Sequence, residues 1–457
     1  MTGKGKITIA QEGTLPTGEG QCAPRMTSPA HPLTTRTVVR FWLPLAATWF
    51  MMALEGPYIA AIVARMPEAA RSLAAFGVAL SLAWLIESPI MMLLSASAAL
   101  VRDRASYVAL RRFAHILNAV VTLGMVVLAL PAVFPFVAER MMGLPHDIAR
   151  LAHLATAAMI FWPAAIGYRR FYQGILVRHH LTRRVAYGTI VRLVTMSASA
   201  AVFAFAFRMP GALVGALSLL TGVVCEAFAS RWMARHIVRT IVAGDAVAEG
   251  TLLRQRDIAR FYFPLALTSI LSMALGPLVT FGLGRGRFPI ESLAVWPVVS
   301  SMTFLFRSGG VAFQEVGIAL DARREVGRTA VLLGGLASLA LALVALTPLE
   351  VFWFERLSGL PHELAKFAVW PVRILLLFPL LEYIVSFQRA RWILEHRTRV
   401  VSIATGIETA TLAVALLAAL RVPNISGAAA GAMAMLAGRI AASAYLFACG
   451  RRIPRSH

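Results

Sequence analysis

Twelve apolar runs, each long enough to cross a bilayer and parted by short Arg-rich segments, set the strongest constraint on this chain. They cover 38–64, 72–100, 113–137, 148–173, 185–207 and 210–232, then 260–284, 290–320, 328–354, 364–389, 398–420 and 425–449. About 20 apolar residues suffice for a helix to cross the hydrocarbon core. In lipid every backbone polar group must be satisfied internally, so spans are helices or closed barrels. Strict apolar–polar alternation over ten-residue segments is absent, which argues against a barrel. Only 14% of the 457 residues are charged and 58% are hydrophobic, whereas soluble domains carry roughly a quarter charged residues. The fold class expected is all-α: a polytopic membrane protein of about twelve transmembrane helices.

The formal charge of +22 suggests nucleic acid only until its distribution is read. The basic residues lie between apolar spans, so anionic lipid headgroups are the natural partner and no nucleic acid is expected. After span 2 come Arg102, Arg104, Arg111 and Arg112; after span 4, Arg178, Arg183 and Arg184, with Arg169 and Arg170 at the helix end. Spans 6, 8 and 10 are followed by similar clusters, and the odd-numbered spans by one or two basic residues each. This one-sided bias places both termini in the cytoplasm, and the expected location is a bacterial inner (plasma) membrane. Residues 1–35 hold no apolar h-region and read as a disordered cytoplasmic tail rather than a signal peptide. Residues 36–235 form the N-lobe, 236–257 a linker, 258–450 the C-lobe and 451–457 a basic cytoplasmic tail. Cys22, Cys225 and Cys449 are too scattered for a metal site.

An internal repeat orders these spans. RFWLPLAATWFMMALEGPYIAAIVAR (40–65) aligns without a gap to RFYFPLALTSILSMALGPLVTFGLGR (260–285). Shared apolar composition does not produce matched Arg, Gly and Pro: Arg40 meets Arg260, Pro44 meets Pro264, and Arg65 meets Arg285. A second register carries GLPHDIARLA (143–152) onto GLPHELAKFA (359–368), Pro163 onto Pro379, and His180 onto His396. Both copies begin at an odd-numbered span. The lobes therefore share one orientation, as parallel repeats about an axis along the membrane normal. Such proteins place their site between the halves. The pairs Gly56–Pro57 and Gly276–Pro277 interrupt spans 1 and 7 mid-membrane, where proline kinks a helix; the freed carbonyls serve a cavity or the kinks serve packing. The GLPH[DE] segments read as helix entries.

Ionisable residues inside spans are costly and normally face a cavity or a partner. They are Glu55, Glu87, Arg192, Glu226, Arg307, Glu315, Arg373, Glu382, Glu408 and Arg439. The first register sets Glu87 opposite Arg307 and the second sets Arg192 opposite Glu408. Two readings follow for the first pair: a bridge across the cleft that acts as a gate, or local neutralisation of each charge within its own lobe. Arg192 and Glu408, near helix ends, are expected to snorkel. Arg307, Arg373, Gln314 and Glu315 are the candidates for substrate binding, because a guanidinium fork matches carboxylate or phosphate. Glu55, Glu87 and Glu382 are the candidates for gating or coupling to H+ or Na+. No other cofactor and no metal is expected. GLGRGR (282–287) has no strand before it, and neither HExxH nor GxSxG occurs, so no enzyme activity is expected.

Two six-helix halves in parallel repeat resemble the MATE-like flippase and exporter (MOP) superfamily. FYQGILVRHHLTR (171–183) is similar to the end of span 4 and its loop in those exporters. LPLAATWF (43–50), LAAFGVALSL (73–82) with Pro89 and VRDR (101–104), GILVRHH (174–180), FPLAL (263–267), PVRILLLFP (371–379) and the Gly-rich 427–438 together resemble the progressive ankylosis (ANK) proteins. That resemblance implies efflux of organic anions or pyrophosphate-type compounds, such as citrate or ATP, with Arg373 on a matching Arg and Glu315 on a matching acidic residue. It offers no counterpart to Glu55 or Glu87. A multidrug or organic-cation antiporter, a flippase for lipid-linked substrates, and a non-transporting membrane scaffold stay open as alternatives.

Overall fold

The computed structural model describes residues 34–179, 181–244, 255–395, 397–422 and 424–451. Residues 1–33 of the expected N-terminal tail, all but Arg451 of the basic C-terminal tail, the middle of the linker, Cys22, His180 and His396 lie outside the described residues; Thr34 caps span 1 and Thr35 opens it, so the end of the expected tail is helix. Eleven helices among the described residues are long and apolar enough to cross a membrane. Spans 1–6 are Thr35–Ala64, Ala69–Leu100, Arg104–Leu128, His146–Arg178, Arg183–Ala206 and Gly211–Ala243. Spans 8–12 are Pro289–Ala319, Arg324–Leu346, His362–Leu394, Arg399–Ala419 and Gly427–Gly450. Span 7 is split into Gln255–Met273 and Leu275–Arg285. Span 6 runs on to Ala243, so residues 236–243 of the expected linker are helix rather than connector. Lipid-facing chemistry is visible on the outside: Phe205 is 83% exposed and Val414 68%, positions that water would not favour.

Local chemistry explains the helix ends and breaks. Span 3 starts at a capping box, in which the Asp103 carboxylate accepts from Ser106 N at 2.8 Å and Ser106 Oγ accepts from Asp103 N at 3.0 Å. Span 1 stops at Ala53 and restarts at Glu55, and span 7 stops at Met273 and restarts at Leu275. These restarts are equivalent under the first register. Pro57 and Pro277 cannot donate to the preceding turn, so each sits in the first turn of the second helix, where that donor is not needed. Spans 4 and 10 break in the same way, and Pro163 and Pro379 open their second halves.

Between the lobes, span 8 packs against spans 1 and 2, and span 7 against span 2. Gly77 and Pro297 are equivalent under the first register and touch one another. Mates of a twofold repeat meet only on its axis, so this contact marks the axis. Spans 1 and 7 then cross to the opposite lobe through reciprocal hydrogen bonds. Trp42 Nε1 donates to Gly309 O at 2.9 Å, and Tyr262 Oη donates to Pro89 O at 2.5 Å; both donor and acceptor are related by the same register.

A Cβ added at Gly77 would lie 2.8 Å from Pro297 Cγ, and a proline ring cannot swing away. Gly77→Val is therefore expected to destabilise the protein by about 1–3 kcal/mol, the usual range for overpacking. Thermal unfolding in detergent would read this; an unchanged midpoint would mean that the axis contact has slack.

Candidate functional site

Each lobe encloses a network of charges contributed by different spans. In the N-lobe, Glu226 of span 6 is 1% exposed and receives Arg169 Nη1 at 2.5 Å and Gln173 Nε2 at 3.1 Å. Arg192 of span 5 lies 3.5 Å from the same carboxylate and 2.7 Å from Glu55. Glu55 is the first residue after the break in span 1, so the Pro57 interruption places this carboxylate at a helix N-terminus, where negative charge is favoured. Two guanidiniums thus face two carboxylates. Glu55 Oε1 is buried with no hydrogen-bond donor among the described residues.

In the C-lobe, Glu382 of span 10 binds Arg307 of span 8 at 2.6 Å and Arg439 of span 12 at 3.3 Å. Arg439 continues to Glu408 of span 11 at 3.1 Å, and Arg389 of span 10 reaches Glu408 at 3.3 Å. The Phe378 ring lies under Arg439 and Arg307, at 5.1 and 5.6 Å, and Phe304 lies 4.8 Å from Arg307. Three guanidiniums here face two carboxylates, so this network carries a surplus positive charge among the described residues. Its most accessible members are Arg307 and Arg389, each with a side chain 22% exposed.

The same backbone design builds both networks. A Cβ at Gly222 would lie 3.1 Å from Arg192 O, and one at Gly438 would lie 2.8 Å from Glu408 O. Both glycines let the last span of a lobe close onto the one before it at the charged residue. They are equivalent under the second register, as are Arg192 and Glu408. One position in the fold therefore carries opposite charges in the two lobes, and each recruits partners of the other sign.

This geometry bears on several sequence expectations. Of the two arrangements open for Glu87 and Arg307, each has its partner within its own lobe. Glu87 is buried in span 2 and accepts the indole N–H of Trp162 in its own lobe, while Arg307 is held by Glu382. Arg192 and Glu408 do not snorkel; both are buried, at 5% and 4% exposure. Arg373 is not beside Arg307. Its guanidinium is held by Ala345 O of span 9, at 3.0 Å, and by Glu350 just past the end of that span, at 3.1 Å, beside a Trp370 that is 66% exposed. Gln314 lies further along span 8 than Arg307, and Glu315 is exposed with no ion pair among the described residues. Arg169 is read from the sequence as lying at a helix end, and Gln173 and Arg389 are the last residues of spans 4 (148–173) and 10 (364–389), so none of the three is among the expected site residues. Both helices run on, to Arg178 and Leu394.

The sequence matches no family model and no curated protein. Solved structures do match. An inward-facing multidrug resistance MATE family transporter of the MOP superfamily superposes with a TM-score of 0.68 at 15% identity, over 87% of this chain and 93% of that one. The lipid II flippase MurJ in an inward closed conformation gives 0.69 at 13% identity, over 90% and 88%. An outward-facing MATE family transporter gives 0.61 at 16% identity, over 91% and 95%. The chain shares their fold. It is an all-α membrane protein of two parallel pseudo-symmetric six-helix lobes.

Proposed function

We propose that this chain is a secondary transporter that moves an anionic solute by alternating access between its two lobes. The observation that carries the reading is the surplus guanidinium charge of the C-lobe network. A buried unpaired charge is costly, and an anion held by Arg307 and Arg389 would balance it. The likeness in fold to MATE transporters and to MurJ supports the two-lobe mechanism. The resemblance to ANK proteins supports an exported organic anion, pyrophosphate, nucleotide or citrate-like compound. Coupling to H+ or Na+ is assigned to the N-lobe, where Glu55 Oε1 is buried without a donor. The location assigned is a bacterial inner membrane with both termini cytoplasmic, on the strength of the loop arginines.

One observation favours a second reading. The intramembrane charges pair within lobes rather than across them, as a non-transporting scaffold would also arrange. The two readings part in vesicles containing the purified protein, challenged with labelled anions, cations and lipid-linked sugars. Anion uptake is expected. Arg307→Ala should reduce it about 10- to 100-fold, the loss of one charge-assisted hydrogen bond of roughly 1.5–3 kcal/mol. Arg307→Lys should recover only part, since lysine lacks the fork. Full anion uptake by folded Arg307→Ala would refute the assignment of the site. Absence of uptake across the whole panel would favour the scaffold.

A further inference from the structure

The repeat contains two features, present in both halves, that the charge networks do not use: the arginines closing spans 1 and 7, and the GLPH[DE] segments. The structure joins each arginine to the turn that leads into the segment of the other lobe. Arg65 donates from Nη2 to Arg356 O at 2.5 Å and to Leu357 O at 2.8 Å, and from Nη1 to Ala61 O of its own helix at 2.8 Å. Arg285 donates from Nε to Met141 O at 2.6 Å and from Nη2 to Arg140 O at 2.9 Å. Arg65 and Arg285 are mates under the first register; residues 140–141 and 356–357 are mates under the second. The contacts form a reciprocal pair across the twofold axis.

The receiving turns are built for this. Phe136–Met141 and Phe352–Leu357 are π-helical, a wide turn that leaves terminal carbonyls without helical partners. Gly143 and Gly359 follow at φ of +73° and +72°, a backbone region that glycine alone enters at no steric cost. A Cβ on Gly359 would lie 2.7 Å from Arg65 Cγ, and one on Gly143 3.6 Å from Arg285 Cγ. His146 Nδ1 is 2.9 Å from Glu139 Oε1 and His362 Nδ1 is 2.6 Å from Glu355 Oε1, tying each turn to the start of the next helix. Each arginine thus places its charge between the carboxyl ends of two helices, one from each lobe. Both ends carry partial negative charge.

We infer that Arg65 and Arg285 are paired latches that hold the two lobes shut at the Arg-poor face of the membrane, the outer face by the loop-charge rule. The inference rests on the alternating-access reading for its purpose but not for its geometry. At the opposite end of spans 1 and 7, the lobes are joined by the Trp42 and Tyr262 bonds and by Gln255 Nε2 donating to Ala109 O at 2.8 Å, all neutral. Charge-assisted bonds are roughly twice as strong as neutral ones. The resting state is therefore closed outside, and outward opening must break both latches. Recognition is of backbone carbonyls, so the side chains of Arg140, Met141, Arg356 and Leu357 are not part of the latch.

The test uses Ser301→Cys, a near-isosteric reporter at the lobe interface, where Ser301 packs on Gly56. A membrane-impermeant maleimide is applied from outside to intact cells expressing the full chain. Labelling of the same variant with Ser301 retained is subtracted. Adding Arg65→Ala with Arg285→Ala should raise the labelling rate about tenfold or more, as a two-state balance responds to loss of a strong contact. Each single alanine should give a smaller rise, and the single variants carry the test if the double variant does not fold. Arg140→Ala with Arg356→Ala should leave labelling unchanged. Gly359→Val should raise it, because the side chain would displace Arg65. Unchanged labelling in folded Arg65→Ala and Arg285→Ala variants, or a rise in Arg140→Ala with Arg356→Ala equal to that of the latch variants, would overturn the inference. A rise in labelling in a protein that moves no solute would leave the latches standing and remove the transport reading.

Discussion

Replacing Glu226 with leucine is expected to cost about 3–5 kcal/mol of folding stability, the usual penalty for removing one partner of a buried ion pair. Glu226 is the centre of the N-lobe network and is 1% exposed. Its loss leaves Arg169 with no carboxylate and Gln173 with no acceptor, while Arg192 keeps Glu55 at 2.7 Å. The cost comes chiefly from the stranded guanidinium, since the pair itself contributes little once both desolvation penalties are counted. That gives a sharper expectation for the double variant. Glu226→Leu with Arg169→Met removes both charges, keeps the volume apolar, and should be more stable than Glu226→Leu alone. Thermal or denaturant unfolding of the purified protein reads both. A double variant less stable than the single would show that Arg169 is held by something other than Glu226.

The C-lobe should respond unequally to loss of its two signs of charge. Glu382→Leu leaves three guanidiniums facing Glu408 alone, and Arg307 loses its carboxylate. A penalty of about 3–5 kcal/mol is again expected, together with loss of transport, because Arg307 is no longer held in place. Arg439→Met leaves two guanidiniums facing two carboxylates. It sacrifices contacts to Glu382 and Glu408 but removes the surplus charge, so its cost should be clearly smaller. The N-lobe, where the signs balance, offers no such relief for Arg192→Met. The order Glu382→Leu below Arg439→Met in unfolding midpoint tests the surplus that underlies the proposed anion site. A reversed order would show that Arg439 is needed structurally and that the network has no spare positive charge.

These networks also show how far residue order alone reaches. Span number, lobe pairing and the mid-membrane interruptions were legible because each depends on local chemistry. A run of about 20 apolar residues must cross lipid as a helix. Proline within an apolar run removes a helical hydrogen bond and marks a kink or break, and a gapless match of Arg, Gly and Pro between 40–65 and 260–285 marks two copies of one unit. The list of buried charges was likewise readable, since an ionisable residue within an apolar run is conspicuous. Their partners were not. The register sets Glu87 opposite Arg307, but equivalence under a repeat means related positions, and related positions touch only on the axis. Gly77 and Pro297 lie there; Glu87 and Arg307 do not.

What tertiary structure decided was which helices stand next to one another within each lobe. Trp162 reaches Glu87, Glu382 reaches Arg307, and Glu226 gathers Arg169 and Arg192 because span 4 packs on span 2, spans 4, 5 and 6 converge, and so do 8, 10, 11 and 12. Nothing in a periodicity of 3.6 residues specifies a neighbour. The GLPH[DE] turns make the same point. Their proline and glycine announce a break in the helix, and the sequence by itself determined that much. That the free carbonyls just before them, at 140–141 and 356–357, receive an arginine from the opposite lobe depends on segments 144 to 292 residues apart being brought to one face by the packing of the spans.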